Sequence, residues 1–206
     1  MTPDQAKTMQ RRLGVTADGV IGRGTTTALF ARLGAPAALA PLLGLAASAH
    51  FPRFGITDTP LRLAHFLGQT AVESGNFRYM REIWGPTPTQ SGYEGRADLG
   101  NTQTGDGKRY MGRAPLQVTG RANYRRISTK LGIDVEAEPE LLERADIGLI
   151  ASCHWWEDNR ANTWADADNA SALSRLVNRG NARSAKAANH EAERIAKTAT
   201  IKALIL

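Results

Sequence analysis

Apolar residues recur along most of the chain with the three- and four-residue spacing of a helix that buries one face. This pattern predicts helices over residues 3–13, 25–33, 37–50, 60–74, 121–131, 139–157 and 170–178, and another from about residue 187. Thr2, Thr59 and Asn169 stand where side-chain caps are expected, the first two directly before a proline. Because no alternating run of convincing strand length occurs, the sequence predicts a mainly α fold.

The longest interruption covers residues 85–109 and is rich in Gly, Pro, Thr and Asp. Loops of this length inside a compact domain are usually functional or disordered. Tyr93, Leu99 and Tyr110 supply apolar anchors. We therefore predict an ordered functional loop, with room for a small β-hairpin inside it.

Size and composition narrow the class of protein. The 206 residues suit one domain of ordinary size with a small appendage, and the lone cysteine, Cys153, lies in an apolar run where we expect it to be buried. The formal charge of +6 favours polyanions such as an anionic cell envelope, although it also fits a simple aid to solubility. No basic run with interleaved aromatic residues occurs, so we predict no nucleic-acid partner.

The polar N-terminal residues lack the apolar stretch of a secretory signal, and the most apolar segment, 35–49, is too short to cross a bilayer. We therefore expect a protein without stable membrane insertion, made in the cytoplasm without an export signal of its own. We also expect a monomer. A protein of this kind would reach the cell wall only after release, in the periplasm of a Gram-negative host.

The chain lacks the sequence motifs of metal-dependent, serine-nucleophile and nucleotide-binding enzymes. The four histidines are scattered, and no HExxH helix, Cys/His cluster, GxSxG elbow or phosphate-binding GxxxxGK loop is present. His65 and His154 lie on apolar helices and are predicted to be core histidines with satisfied hydrogen bonds. Neither a metal nor an organic cofactor is implied.

Carboxylates remain as candidate catalytic groups. Glu73 lies at the end of an apolar helix, where an apolar wall and the negative end of the helix dipole favour a protonated acid, the form that a glycosidase needs as proton donor. Position alone fits an ordinary surface residue equally well.

Glu82 follows nine residues later. In one unbroken helix the two groups would lie roughly 13.5 Å apart along the axis, too far to flank one bond. If Gly75 and Asn76 end the helix and the chain reverses, the carboxylates could approach the roughly 6.5–9.5 Å spacing of an inverting hydrolase. Taken alone, Glu82 is typical of a solvated surface charge.

The segment YMGRAPLQVTGRANY, residues 110–124, combines Gln, Thr and Asn with glycines and tyrosines. Such side chains can bind sugar hydroxyls and N-acetyl groups or hold a water molecule. A plain loop leading into a helix would also explain the composition.

Three longer motifs carry a family resemblance: AHFLGQTAVESGNF (64–77), YEGRADLGNTQTGDGKRYMGRAPLQVTGRANY (93–124) and LVNRGN (176–181). In this order they resemble the family 19 glycoside hydrolases, especially the peptidoglycan-cleaving endolysins of bacteriophages in that chitinase-like group. The resemblance covers about residues 40–200. It implies a bilobal, lysozyme-like α-helical fold with the sugar-binding cleft between the lobes, and a catalytic domain over residues 37–206.

The resemblance also assigns residue roles. It makes Glu73 the proton donor and Glu82 the general base, with Thr119 completing the catalytic set. The implied substrate- and water-positioning residues are Gln117, Asn123 and Asn178. We add Tyr110, Arg113 and Tyr93 as further candidate substrate-binding residues. Ala114 replaces the second glycine of the family's usual Gly-Arg-Gly, and Val72 stands where histidine is common.

Residues 1–36 are predicted to form a separate small helical segment. Its MQRRL and DGVIGRGT stretches resemble about half of a peptidoglycan-binding module, with Asp18, Gly19, Gly22 and Thr25 as the matching residues. We interpret the chain as an endolysin that hydrolyses the β-1,4 bonds of peptidoglycan. A chitinase, a lytic transglycosylase that uses Glu73 alone, and a non-catalytic wall-binding protein stay open as alternatives.

Overall fold

The computed structural model describes all residues, 1–206, and is mainly helical, as predicted. Eleven α-helices follow one another: α1 Pro3–Leu13, α2 Arg23–Arg32, α3 Ala40–His50, α4 Pro60–Glu73, α5 Pro88–Ser91, α6 Asp106–Arg109, α7 Arg121–Leu131, α8 Ala145–Asp158, α9 Ala161–Asp166, α10 Ala170–Arg179 and α11 Glu191–Ile205. Short 3-10 turns cover Ala97–Leu99 and Pro139–Glu143. None of the helices combines the length and the apolar content that crossing a bilayer requires.

The predicted helix starts are confirmed where a side chain caps the first turn. The hydroxyl of Thr2 accepts a hydrogen bond from the Gln5 amide, and the side chains of Thr59 and Asn169 cap α4 and α10 in the same way. The single helix expected over 139–157 is wrong, because Arg144 is extended and separates a 3-10 turn from α8. Helix α9 was not predicted.

Two hydrophobic cores divide the chain into two lobes. The larger core holds 27 buried residues, most of them from α1–α4 and α8–α11, and the smaller core holds nine from the segment between residues 110 and 151. Helix α8 contributes side chains to both cores, with Cys153 and Trp156 in the larger core and Ile147 and Ala151 in the smaller core. This shared helix fixes the lobes on either side of the chain's central loop.

The long loop is ordered by short helical turns and by Glu94, whose carboxylate accepts hydrogen bonds from the amides of Gly105 (2.6 Å) and Gly107 (2.8 Å). It contains no β-hairpin. The extended pairing lies just outside it, where Arg113 forms antiparallel bridges with Arg81 and with Val118.

The N-terminal helices lean on the rest of the protein. Met9, Leu29 and Phe30 belong to the larger core, and the Thr26 hydroxyl donates to the Gly44 carbonyl at 2.6 Å. The division at residue 36 therefore stays a prediction about function, while the packing is continuous across it.

Buried polar side chains organise the N-terminal turn. The side chain of Gln10 is 1% exposed; its amide donates to Asp18 Oδ1 (2.7 Å) and Thr25 Oγ1 (3.0 Å), and its carbonyl oxygen accepts from the Gly19 amide (2.8 Å). Gly22 stands at the N-cap of α2. Three of the four motif residues, Asp18, Gly19 and Thr25, are thus held together by one buried glutamine.

The two histidines expected in the core are buried, although their hydrogen bonding is incomplete. His65 Nε2 lies 2.8 Å from Asp168 Oδ1, and His154 packs edge-on against Phe54. Nδ1 of each ring lacks a hydrogen-bond partner, so the expectation of satisfied histidines is wrong. Cys153 is buried, as predicted.

Candidate active site

The chain reverses directly after α4. Gly75, Asn76 and Phe77 all adopt left-handed backbone angles, with φ of 57°, 60° and 63°. The Ser74 hydroxyl donates to the Thr70 carbonyl at 2.6 Å and accepts from the Phe77 amide at 2.9 Å, which closes the turn. The predicted helix stop is confirmed, and Gly75 begins the reversal in a conformation that costs glycine little.

After the reversal, the strand-like segment that carries Glu82 pairs with the segment around Gly112. The Glu82 amide donates to the Gly112 carbonyl at 2.9 Å. The carboxylate then accepts from two donors, the Gly112 amide at 2.6 Å and the Gln90 side-chain amide at 3.0 Å. Glu82 is therefore held in one orientation by the smaller lobe and by α5 of the loop.

Glu73 belongs to the larger lobe and forms an ion pair with Arg194 of α11. The Arg194 guanidinium also donates to Gln69 Oε1 at 3.2 Å and to the Asn189 carbonyl at 3.0 Å. The side chains of Arg194 and Glu73 are 4% and 16% exposed.

Gly112 joins Glu82 to two other predicted site residues. A methyl group at this glycine would lie 2.5 Å from Gln117 Oε1, the movable end of that side chain, and 3.2 Å from Thr119 Oγ1, so both side chains pack against Gly112. The Thr119 hydroxyl donates to the Gln117 carbonyl at 2.9 Å.

A groove of about 390 Å³ lies between the lobes. The smaller lobe contributes Gln117, Thr119 and Asn123, and the larger lobe contributes Asn178 together with Trp155. The Asn123 amide donates to the Thr119 carbonyl at 2.7 Å, and Asn178 Oδ1 accepts from the Asn189 amide at 2.8 Å. Four predicted substrate or water ligands therefore line one groove, as expected for a cleft between lobes.

A second groove, of about 820 Å³, runs along Glu82. Tyr79 and Ile83 are 49% and 71% exposed beside it, and Trp84 also lines it. The Trp84 ring lies 6.4 Å from that of Tyr93. Burial and, next, the Glu82 carboxylate raise the pKa of Tyr93, so this hydroxyl stays protonated beside the candidate base.

Glu73 lines neither the groove between the lobes nor the groove along Glu82. The approach of the Glu73 and Glu82 carboxyl groups to the spacing of an inverting hydrolase stays a prediction.

Two assignments are wrong. Tyr110 is 1% exposed and packs in the smaller core, where its hydroxyl donates to the Glu136 carbonyl at 3.2 Å. Arg113 is 2% exposed and donates to Glu143 at 2.9 Å and to the Tyr124 hydroxyl at 3.0 Å. Because buried side chains do not reach a sugar, both residues support the scaffold.

Sequence reasoning missed Arg194 and Gln90. Arg194 stands in an ordinary amphipathic helix 121 residues from Glu73, and Gln90 lies in the irregular loop. Neither position carries a local signal of its role. No cluster of three or more His, Cys, Asp or Glu side chains forms a metal-binding geometry in the chain.

Two of the sequence relatives found among known proteins illustrate the range of coverage. Chitinase 6 of Oryza sativa subsp. japonica is 28% identical over 141 residues, which are 65% of this chain and 50% of that protein. A glycosyl hydrolase family 19 domain-containing protein of Haemophilus influenzae is 26% identical over 162 residues, 66% of this chain and 78% of that protein. The chain thus spans about half the length of the rice relative. No model of a known protein family matches it.

Among solved structures, chitinase C from Streptomyces griseus HUT6037 superposes with a TM-score of 0.66 at 20% identity, over 91% of this chain and 77% of that one. The likeness confirms the predicted lysozyme-like helical fold. In sequence the chain is similar to proteins named as chitinases and to a family 19 glycosyl hydrolase domain-containing protein, and in fold it is similar to a bacterial chitinase.

Proposed function

We propose that the chain is an endolysin that hydrolyses the β-1,4 glycosidic bonds of peptidoglycan by an inverting mechanism. One observation carries the proposal: the carboxylate of Glu82 is anchored by the Gly112 amide beside Gln117 and Thr119, just after the reversal that follows Glu73. Two carboxyl groups from different lobes, joined by a tight turn, suit the two roles of an inverting glycosidase.

In the proposed reaction, Glu73 donates a proton to the glycosidic oxygen as its bond to the anomeric carbon breaks. Glu82 accepts a proton from a water molecule, whose oxygen attacks that carbon from the opposite face. Thr119 and Gln117 hold this water or the neighbouring sugar. Arg194 fixes the Glu73 carboxyl in one orientation, and its bonds to Gln69 and Asn189 keep the guanidinium in place when Glu73 is protonated.

The choice of peptidoglycan is supported by the formal charge of +6, which favours an anionic wall, and by the resemblance of residues 1–36 to wall-binding modules. In this proposal the protein acts as a monomer on the wall after release from the cytoplasm. Chitin is the second candidate substrate, because the sequence relatives include proteins named as chitinases.

Product analysis tests the reaction. Purified peptidoglycan and chitin oligomers are digested with the unmodified protein, Glu73→Gln and Glu82→Gln, and the products are identified by mass spectrometry. We expect new reducing ends from peptidoglycan and a loss of about three orders of magnitude in both variants, in the range that general acids and bases supply. Glu138→Gln, which removes an exposed carboxylate without a hydrogen-bond partner, is the matched control.

Each other outcome contradicts part of the proposal. Anhydro ends would establish a lytic transglycosylase, and cleavage of chitin oligomers alone would establish a chitinase. The absence of products from either polymer would leave a non-catalytic wall-binding protein. Full activity in Glu73→Gln with unchanged thermal melting would remove Glu73 as the proton donor.

A further inference from the structure

Unpaired positive charge is concentrated at the N-terminus. Residues 1–36 contain five Lys or Arg and two Asp, a formal charge of +3, half of the +6 of the whole chain. None of these five cations forms a salt bridge, whereas twelve of the other 21 do. The N-terminal cations are therefore free to bind an external anion.

The motif residues of this segment are occupied internally. Asp18 Oδ1 accepts from both Gln10 and the Val20 amide, and Thr25 is 5% exposed. Gly19 lies against Pro3 and donates its amide to Gln10. These residues shape the turn, so a ligand of the segment must make its contacts elsewhere.

A groove of about 430 Å³ lies where α1 and the end of α2 meet α11. Its lining comprises two arginines, four aliphatic side chains and a threonine: Arg12, Arg32, Leu33, Ile201, Ala203, Leu204 and Thr200.

The two arginines at this groove have donors to spare. One Arg12 nitrogen, Nη1, donates to the carbonyls of Ala203 (3.1 Å) and Leu204 (3.4 Å), which leaves Nη2 and Nε unused. Arg32 is exposed at the end of α2 and forms no salt bridge. Two guanidinium groups therefore border a small aliphatic concavity.

We propose that this groove is a second wall-binding site that holds the peptide stem of peptidoglycan. A stem carries free carboxylates and alanine methyl groups. Guanidinium groups bind carboxylates through paired hydrogen bonds, and the partly exposed Leu33 and Leu204 offer apolar contact to methyl groups. A phosphate polymer would bind through the arginine charges alone and would make no use of the aliphatic lining.

The inference rests on the proposed function, because it takes peptidoglycan as the substrate. Stem binding at α1, α2 and α11 would attach the protein to the wall while the cleft engages the glycan strand. Two linked contacts raise the local concentration of substrate and increase overall affinity without any change in the catalytic groups.

The experiment measures binding and catalysis separately. The full chain, Arg32→Gln and Arg12→Gln/Arg32→Gln are tested for sedimentation with three preparations: intact sacculi, sacculi freed of stems by an amidase, and sacculi freed of phosphate polymers. Arg53→Gln/Arg160→Gln is the matched control, since it also removes two exposed arginines that form no salt bridge. A soluble muramyl pentapeptide is titrated by calorimetry, and hydrolysis of soluble stem-free glycan is followed in parallel.

We expect Arg32→Gln to weaken binding to intact sacculi and to the pentapeptide about tenfold, the loss of roughly one charge-assisted hydrogen bond, and the double variant to weaken it further. Removal of stems should abolish the difference between the double variant and its control. Hydrolysis of stem-free glycan should stay unchanged. Because Arg32 has no structural partner, its single variant remains informative if the double variant melts early.

The inference is overturned if the double variant binds sacculi as its control does, or if binding survives removal of stems. It is also overturned if removal of phosphate polymers alone abolishes binding. Failure of the proposed function gives a different result, namely intact binding to sacculi without any cleavage by the unmodified protein.

Discussion

Replacement of Arg194 by glutamine is the most informative change to this protein. The guanidinium is 4% exposed and serves three acceptors: Glu73, Gln69 and the Asn189 carbonyl. Glutamine is shorter and neutral, so it leaves the Glu73 carboxylate without its cation and two oxygens without a donor. Both stability and catalysis should therefore respond.

The size of the effect follows from burial. Breaking a buried ion pair by removing one partner costs about 3–5 kcal/mol. The Glu73 side chain is 16% exposed, so water can solvate part of the carboxylate that loses its cation. We therefore expect a loss of unfolding free energy at the lower end of this range, about 3 kcal/mol. For a chain of this length each kcal/mol lowers Tm by about 2–4 °C, which gives a fall of about 6–12 °C.

Activity should fall through misorientation of the Glu73 carboxyl, by up to about a hundredfold for a displacement near 1 Å, and the loss should appear in kcat. Initial rates on peptidoglycan below the lowered Tm, together with differential scanning calorimetry, measure both effects. Arg194→Lys keeps the charge and should recover part of the activity. Arg62→Gln is the control, because Arg62 pairs with Asp166 at 2.7 Å near the opposite end of α4.

Wild-type kcat in Arg194→Gln would refute the positioning role. An equal loss of kcat in Arg62→Gln would show that any weakened ion pair on α4 impairs the enzyme, and the specific link between Arg194 and Glu73 would fail.

Three further predictions concern other parts of the molecule. Gly68→Ala should destabilise the protein by about 1–3 kcal/mol in urea unfolding, because the new methyl group would lie 2.3 Å from Thr198 Oγ1 at the α4–α11 contact; unchanged stability would contradict this packing. Asn178→Ala should raise KM on peptidoglycan more than it lowers kcat, since the side chain lines the groove between the lobes, and an unchanged KM would remove it from the substrate site. The hydrogen bond from Arg121 lowers the pKa of Asp106, so this pair should stabilise the fold fully above the unfolded carboxyl pKa of about 3.9 and lose its contribution as the pH falls below that value. Asp106→Asn should flatten this part of the profile of unfolding free energy against pH, and parallel profiles for the variant and the unmodified protein would contradict the assignment.

Local interactions explain why the helices and the reversal after α4 could be predicted. Thr2, Thr59 and Asn169 cap the first turn of their own helices, and Gly75 supplies the left-handed conformation that ends α4. These devices act within a few residues, so the sequence alone contains them. The order of the family-like motifs likewise indicated the lysozyme-like fold before any contact was known.

Only the tertiary structure decided what each polar side chain of the site does. Tyr110 and Arg113 stand beside predicted sugar ligands in the sequence, yet the smaller core encloses both, and Arg113 finds its carboxylate partner 30 residues away. Arg194 meets Glu73 across 121 residues. Burial and long-range ion pairs depend on how helices pack against one another, and no local pattern of residues records that packing.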